Sequence, residues 1–331
     1  MKRNNLEMNS LVIGGAGYIG WHMVKLLLES GYQVTVVDDL SSGHHDAVLG
    51  GELIIHDFSD RAFLDQLFST KQFDGVFHFA SQILVGESVS NPAKYYRANT
   101  FATLTLLEAM RDHGINHMVF SSTAAVYGEP DTIPINELHP KVPVNPYGAS
   151  KYMVEMILAD FHRAHGLKYV ALRYFNAAGS DPQGRLGERH EPETHLIPLA
   201  LKAVLGKRPL LKLFGRDYDT PDGTCIRDYI HVDDLSNAHF LAMQYLHQGG
   251  DSTEFNLGNG QGYSVQEVID TVGKVAGKPV PVEYAPRRDG DPARLVADAS
   301  KAKSLLGWEP KLNDLETIIQ HAWNWERTNK D

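Results

Sequence analysis

The run Leu11-Val12-Ile13-Gly14-Gly15-Ala16-Gly17-Tyr18-Ile19-Gly20 decides the fold. Met23-Val24 and Leu26-Leu27-Leu28 follow it at helical spacing and stop at Gly31. An apolar strand, a glycine turn and an amphipathic helix closed by glycine open a βαβ unit. The glycines fall as G-x-x-G-x-x-G. That pattern lets the backbone turn tightly and approach a pyrophosphate seated on the free N–H groups of the helix N-terminus. A second strand, Gln33-Val34-Thr35-Val36-Val37, ends in Asp38, eighteen residues beyond Gly20. A carboxylate at that distance accepts hydrogen bonds from adenosine ribose and repels a 2′-phosphate, so NAD is expected and not NADP.

The alternation continues. Strand Glu52–His56 ends in Asp57, which either reaches the adenine or starts a helix, where Asp60 competes as the cap. Gly75 to Ser81 reads as a buried strand ending in small residues that let backbone approach the cofactor. His78, inside that apolar run, reads as a core residue. Ser88 through Met110 reads as one long helix with Pro92 near its start. Its outward apolar stripe suits either a second subunit or the core. Strand Met118–Thr123 ends in hydroxyls at the carboxyl edge of the sheet, where doubly wound folds bind ligands. After strand Tyr169–Asn176 the texture turns polar and is punctuated by Pro and Gly.

The expected architecture is therefore α/β, a Rossmann-like doubly wound parallel sheet with a smaller C-terminal α/β substrate lobe. The boundaries are 10–176 for the NAD-binding domain, joined by a returning strand near 254–258, and 177–331 for the substrate lobe.

Tyr147 and Lys151 stand four residues apart at the start of a helical pattern, on one face. A phenol has a pKa of about 10, so a base acting near neutral pH needs on the order of 4 kcal/mol from its surroundings. Lys151 alone falls short, and an oxidised nicotinamide nearby supplies the balance. With Thr123 beside them, the set calls for proton removal from an alcohol coupled to hydride transfer.

The chain has 331 residues and a formal net charge of −10, with 41 acidic and 31 basic side chains. That balance argues against nucleic acid as a partner. The single cysteine, Cys225, excludes an internal disulfide framework and fits a reducing cytoplasm. Neither a signal peptide nor a run of ~18 apolar residues is legible, so no membrane association is expected. His190-Glu-Pro-Glu-Thr-His195 is not H-E-x-x-H, and Pro192 breaks the helix that would align the ligands, so no metal site is expected.

GGAGYIG, VGESV, SSTAAVYG, NPYGASK, LRYFNAAG, DGTCIRDYIHV and APRRDGD make the chain resemble an extended short-chain dehydrogenase/reductase, and within that group the UDP-glucose 4-epimerase (UDP-galactose 4-epimerase) family. The resemblance runs from Gly14 to about Trp325. It implies a retained NAD, oxidation of the sugar at carbon 4, rotation of the ketone and reduction on the opposite face. Tyr147 would be the base, Lys151 would hold nicotinamide ribose and lower the phenol pKa, and Thr123 would take the hydroxyl position. NAD would lie against Gly14, Gly17, Tyr18, Ile19, Gly20, Asp38, Asp57, Phe58, Phe79, Ala80, Asn99 and Tyr174, besides Tyr147 and Lys151. The UDP-sugar would meet Thr123, Tyr147, Asn176, His195, Leu196, Phe214, Arg227, Tyr229, Arg288, Asp291 and Leu295. A homodimer is implied as well. The arginines make physical sense, because a diphosphate needs charge-assisted donors in an acidic protein.

Four positions depart from the family's best-known bacterial pattern. Thr123 keeps the hydroxyl of the usual serine. Ile83 replaces a lysine near the cofactor phosphates, and His195 an asparagine on the sugar side. Leu295 stands where a bulky tyrosine narrows the pocket, so N-acetylated UDP-hexoses are expected to enter. A 4,6-dehydratase would need carboxylates after Thr123, where Ala124-Ala125 stand. A 4-epimerase of UDP-pentoses or UDP-uronic acids remains compatible, and a silent NAD-binding regulator is opposed by the intact Tyr147 and Lys151.

Overall fold

The computed structural model describes residues 8–288 and 291–329. Asp289 and Gly290 of the charged turn lie outside them. Strands β1 (Asn9–Ile13), β2 (Gln33–Asp38), β3 (Glu52–Ile55), β4 (Gly75–His78), β5 (His117–Thr123) and β6 (Lys168–Tyr174) alternate with helices α1 (Tyr18–Glu29), α2 (Arg61–Thr70), α3 (Val85–Ser90), α4 (Pro92–Tyr95), α5 (Ala102–Asp112) and α6 (Pro146–His165). The remaining strands are β7 (Asn176–Ala178), β8 (Leu211–Phe214), β9 (Ile226–Arg227), β10 (Tyr229–His231), β11 (Thr253–Leu257), β12 (Tyr263–Ser264), β13 (Val282–Ala285) and β14 (Arg294–Leu295). Helices α7 (Leu196–Leu205), α8 (Val232–His247), α9 (Val265–Ala276), α10 (Ser300–Leu306) and α11 (Leu315–Thr328) complete the fold.

Seven strands form the central sheet in the order β11-β6-β5-β4-β1-β2-β3. Every pair in it is parallel. Parallel strands buried on both faces need near-continuous apolar runs, and β1 and β5 supply them. The order reverses between β1 and β4, and that switch point opens a crevice at the carboxyl ends of the strands. The expected returning strand is β11, paired with β6 from Thr253↔Val170 to Leu257↔Tyr174.

One core covers each face of the sheet. Leu64, Leu67, Leu106, Leu107, Val154 and Leu158 close one side. The other is closed by Val24 and Leu27 together with Leu235, Ala242, Leu246, Leu306 and Trp308. Helices α8 and α10 thus pack on the sheet although they come late in the chain. A third core gathers Ile197, Leu201, Leu211, Val268, Val272, Ile318 and Ile319 around α7, α9 and α11.

The long helix expected over 88–110 is broken. It divides into α3, α4, a π-helical segment Tyr96–Phe101 and α5. Asn91 adopts φ −135°, ψ 63° because the following Pro92 disfavours a helical conformation at the residue before it. Helical periodicity alone does not register such a break.

Candidate active site

A cleft of about 2090 Å³ runs along the carboxyl edge of the sheet. A single small-molecule site rarely exceeds ~1,000 Å³, so the cleft has room for two extended ligands side by side. Gly14, Gly17, Tyr18, Ile19, Gly20, Asp38, Asp57, Phe58, Phe79, Ala80 and Tyr174 line it. So do Thr123, Tyr147, Asn176, His195, Arg288 and Asp291.

The glycine turn is shaped by close approach. A Cβ at Gly14 would meet Ala80 N at 2.4 Å, and one at Gly20 would meet Gly14 O at 2.1 Å. At Gly17 the closest atom would be Gly14 O at 3.6 Å, so that side of the turn faces open space. Gly17 caps α1 without any side-chain hydrogen bond. The first N–H groups of α1 are therefore left for an anion, which fits the pyrophosphate of a dinucleotide. Asp38 is buried and accepts from Ala16 N and Leu40 N, both at 2.9 Å. Burial raises its pKa, and the two backbone N–H groups partly offset that. Asp60 caps α2 by accepting from Ala62 N and Phe63 N, which settles the competition over Asp57 and leaves Asp57 on the cleft wall.

The proton-transfer group is positioned by close packing of α6. Asn145 caps the helix by accepting from Gly148 N at 2.8 Å, and Pro146 takes the first turn. A Cβ at Gly148 would meet Ala125 O at 2.4 Å, so only glycine lets α6 seat on the turn after Thr123. Tyr147 and Thr123 then both line the cleft, Thr123 from the end of β5 and Tyr147 from the first turn of α6. Burial raises the phenol's pKa, and the Thr123 hydroxyl works against it. Lys151 is 2 % exposed and donates to Ser121 O at 2.9 Å. Burial pushes its ammonium down to about 7, with Glu155 pulling the other way. Burial thus disfavours the charged form of both groups. Below this group, Glu155 and Arg173 form a buried ion pair at 2.5 Å, to which Ser122 Oγ and Tyr127 OH add hydrogen bonds.

Several expected contacts stand behind the cleft wall. Asn99 is buried, accepting from Gln82 N at 2.8 Å and donating to Ser150 Oγ at 3.0 Å, so it braces the wall from behind. Tyr229 is 5 % exposed and packs in the third core beside Leu196. Phe214 lies under the Arg288 guanidinium, 4.0 Å from the ring centroid. Arg227 pairs with Asp291. Leu295 packs on the cluster of Val126, Tyr127 and Ile135 and pairs in register with Arg227 of β9. Ile83 lines the wall without charge. Lys94 on that wall is held by Glu87 at 2.8 Å, whereas Arg97 has no carboxylate partner among the described residues.

Sequence reasoning missed Ser41, Ser42 and Gly43, which line the cleft just past Asp38. A Cβ at Gly43 would meet Asp38 Oδ1 at 2.8 Å. The Ser-Ser-Gly run after the second strand was the available signal. It also rejected His190 to His195 as a metal site, while placing His195 against the sugar. No helix forms there, as Pro192 implied, yet an irregular loop brings Glu188, His190 and His195 to the cleft wall.

A doubly wound sheet with an open glycine turn, an acid at the end of β2 and Thr123, Tyr147 and Lys151 grouped at the edge of β5 defines the class: an extended short-chain dehydrogenase/reductase. A protein-family model described as GDP-mannose 4,6 dehydratase matches residues 11–321. The chain belongs to the UDP-glucose 4-epimerase family within that class. It is 54% identical to the UDP-glucose 4-epimerase of Halalkalibacterium halodurans over 320 residues, covering 97% of this chain and 96% of that one. With the UDP-glucose 4-epimerase of Rhizobium meliloti it shares 51% over 325 residues, 98% of each. The crystal structure of UDP-glucose 4-epimerase from Brucella ovis in complex with NAD superposes with a TM-score of 0.94 at 48% identity, over 96% of this chain and 97% of that one. The UDP-Glc/GlcNAc 4-epimerase from Campylobacter jejuni gives 0.86 at 45% identity, over 97% and 100%.

Proposed function

We propose that this chain interconverts UDP-hexoses epimeric at carbon 4, with a retained NAD and a transient 4-keto sugar. The observation that carries the reading is Tyr147 beside Thr123 at the carboxyl edge of a dinucleotide-shaped cleft with room for a second ligand. NAD held at Gly17, Asp38 and Asp57 would supply a reversible two-electron oxidant for the sugar carbon. Tyr147 Oη takes the proton of the 4-hydroxyl and returns it to the same oxygen later in the turnover. Thr123 orients the phenol and accepts or donates as its charge changes. Lys151 is fixed by Ser121 O and keeps its ammonium within the same group. Arg288 and Arg227, the latter steered by Asp291, supply the cations that a diphosphate needs. Incubating the purified protein with UDP-glucose or UDP-galactose and no added NAD should yield the same mixture from either side. A need for stoichiometric NAD, or a 4-keto product that accumulates, overturns the reading.

The specificity reading is that UDP-N-acetylglucosamine and UDP-N-acetylgalactosamine are also accepted. What supports it is that β14 pairs Leu295 with Arg227, an expected diphosphate contact, and that leucine is smaller than the tyrosine it replaces. Leu295→Tyr should lower the rate ratio of acetylated to plain sugars by roughly tenfold or more, because a pocket rejects extra bulk by that order. An unchanged ratio in a coupled product assay counts against it.

Two lobes, 10–176 and 177–331, with β11 returned to the first, are the domain reading, and the third core around α7, α9 and α11 supports it. The chain is further read as a cytoplasmic homodimer. Among the described residues no helix is long and apolar enough to cross a membrane. Val89, Phe101, Met153 and Met156 are exposed, and Tyr96, Leu104 and Met153 line a shallow apolar depression beside Phe101. Such a patch suits a second copy of the chain. Phe101→Asp with Met153→Asp should sediment as a monomer, and an unchanged dimer would move the interface elsewhere.

A further inference from the structure

The loop that leads into α7 gathers a set of side chains that proton transfer at Tyr147 does not use. One donor atom from each of Glu188, His190, Glu193 and His195 lies within 4.8 Å of all the others. Both imidazoles turn Nδ1 toward the carboxylates. His195 Nδ1 is 2.6 Å from Glu188 Oε1 and 3.1 Å from Glu193 Oε1, and His190 Nδ1 is 3.1 Å from Glu188 Oε1 and 3.7 Å from Glu193 Oε2. The two carboxylate side chains are only 6% and 4% exposed.

Burying two carboxylates side by side is costly unless positive charge meets them. The nearby cations are committed elsewhere: Arg189 pairs with Asp46, and Lys25 and Arg185 pair with Asp181. Among the described residues only His190 and His195 make ion pairs with Glu188 and Glu193. Glu193 Oε1 accepts from Thr194 N at 2.7 Å and His195 N at 2.8 Å, so the backbone fixes the carboxylate. Its Oε2 is buried and accepts no hydrogen bond. A fixed carboxylate with one oxygen unsatisfied, facing two imidazoles and a second buried carboxylate, is built like a ligand set and not like a solvated turn.

We propose that Glu188, His190, Glu193 and His195 bind one divalent transition-metal ion, with Zn²⁺ as the reference ion. A tetrahedral zinc with nitrogen and oxygen donors at about 2.0–2.2 Å holds those donors about 3.3–3.6 Å apart. The four imidazole–carboxylate separations, 2.6 to 3.7 Å, bracket that value, with Glu193 meeting His195 through Oε1 and His190 through Oε2, and side-chain rotation has to bring one donor from each residue, now within 4.8 Å of one another, to a common centre. Two imidazoles with two carboxylates favour zinc, cobalt or manganese over magnesium and calcium, which take oxygen donors. Tyr18 stands edge-on to His190 with ring centroids 6.0 Å apart, and Trp325 Nε1 donates to Glu188 O at 3.3 Å. The loop is thereby in contact with α1 on one side and α11 on the other, while His195 is the N-cap residue of α7. The metal is a clamp on this wall of the cleft and takes no part in proton transfer.

The test uses the full chain with its retained dinucleotide. After chelator treatment and dialysis the protein is loaded with zinc sulfate, passed through gel filtration and assayed by mass spectrometry for metal. One zinc per chain should survive, with a raised thermal midpoint. Cobalt loading should give the visible absorption of a tetrahedral site. His190→Asn and Glu193→Gln should each lower the retained zinc by roughly tenfold or more, since ligand loss costs at least what loss of a supporting partner does. His165→Asn, at an exposed imidazole on α6, should retain it fully. Circular dichroism and dinucleotide absorbance check that the variants are folded. Should a variant fail to fold, the cobalt spectrum of the parent decides. Loss of all zinc from the parent on gel filtration, no tetrahedral cobalt band, or equal retention by His190→Asn overturns the proposal and leaves two histidine–carboxylate pairs.

Discussion

Tyr147 sits in surroundings that work against the charge its role requires. Burial raises the phenol's pKa and lowers Lys151 to about 7, so the chain by itself favours a neutral phenol beside a weakened cation. Bringing an unperturbed phenol to neutral pH takes on the order of 4 kcal/mol and burial adds to that, so on the proposed mechanism a bound positive charge would supply most of it. On the proposed mechanism Tyr147 would act as a base with the oxidised cofactor in place, which suits an enzyme that keeps its cofactor. Tyr147→Phe should lose activity by 10²–10⁴-fold, the usual worth of a general base, while the protein keeps its dinucleotide absorbance. A loss much smaller than this, measured as initial rate on UDP-galactose, would remove Tyr147 from the proton path. The Y-x-x-x-K spacing was legible in the sequence. The seat that Gly148 makes on Ala125 O was not, because it depends on how closely two distant segments approach.

The β1–α1 unit shows what an element contributes beyond its residues. Gly20 lies inside α1, where a glycine ordinarily costs about 1 kcal/mol against alanine. It is kept there because the helix crosses its own turn: a Cβ would meet Gly14 O at 2.1 Å and Gly15 Cα at 2.8 Å, both backbone. Neither atom can yield without moving β1 or the open face at Gly17. Gly20→Ala should therefore reduce retained dinucleotide at least tenfold and cost about 1–3 kcal/mol of stability, as overpacking does. Cofactor absorbance after gel filtration and a urea melt measure the two effects, and unchanged occupancy would refute the close-approach argument. The same element logic explains the miss over 88–110. Apolar spacing persists through Asn91-Pro92 and the π-helical turn, so the pattern reads as one helix while the backbone makes four segments.

At the scale of the molecule, a buried charge network ties the glycine-turn helix to the segments that follow β7. Lys25 of α1 donates to Asp181 at 2.8 Å and reaches Asp233 of α8 at 3.1 Å, and Arg185 meets Asp181 at 2.8 Å. Asp181 is 1% exposed. Burial would raise its pKa, but hydrogen bonds from Arg185 and Lys25 outweigh it and hold the carboxyl well below the carboxylate range. A depressed carboxyl contributes stability that is present above its unfolded pKa, near 3.9, and is lost as pH falls toward the folded value. Asp181→Asn should thus cost about 3–5 kcal/mol at pH 7, the price of opening a buried pair. The difference from the parent should shrink as pH falls below about 4. Urea melts at pH 7 and pH 3 check both parts, and a gap that widens in acid would contradict the sign.

The sequence by itself determined the βαβ alternation, the dinucleotide turn, the acid at the end of β2 and the Tyr147–Lys151 pair. Each is written in contacts close along the chain or in a period of two or 3.6 residues. Tertiary structure alone decided that α8 and α10 cover the sheet, that Tyr229 packs into the third core, and that Lys151 is buried. It also decided that the residues from Glu188 to His195 converge without a helix. Those outcomes depend on burial and on pairs far apart in sequence, such as Lys25 with Asp181, and no local period encodes which distant group a side chain will meet.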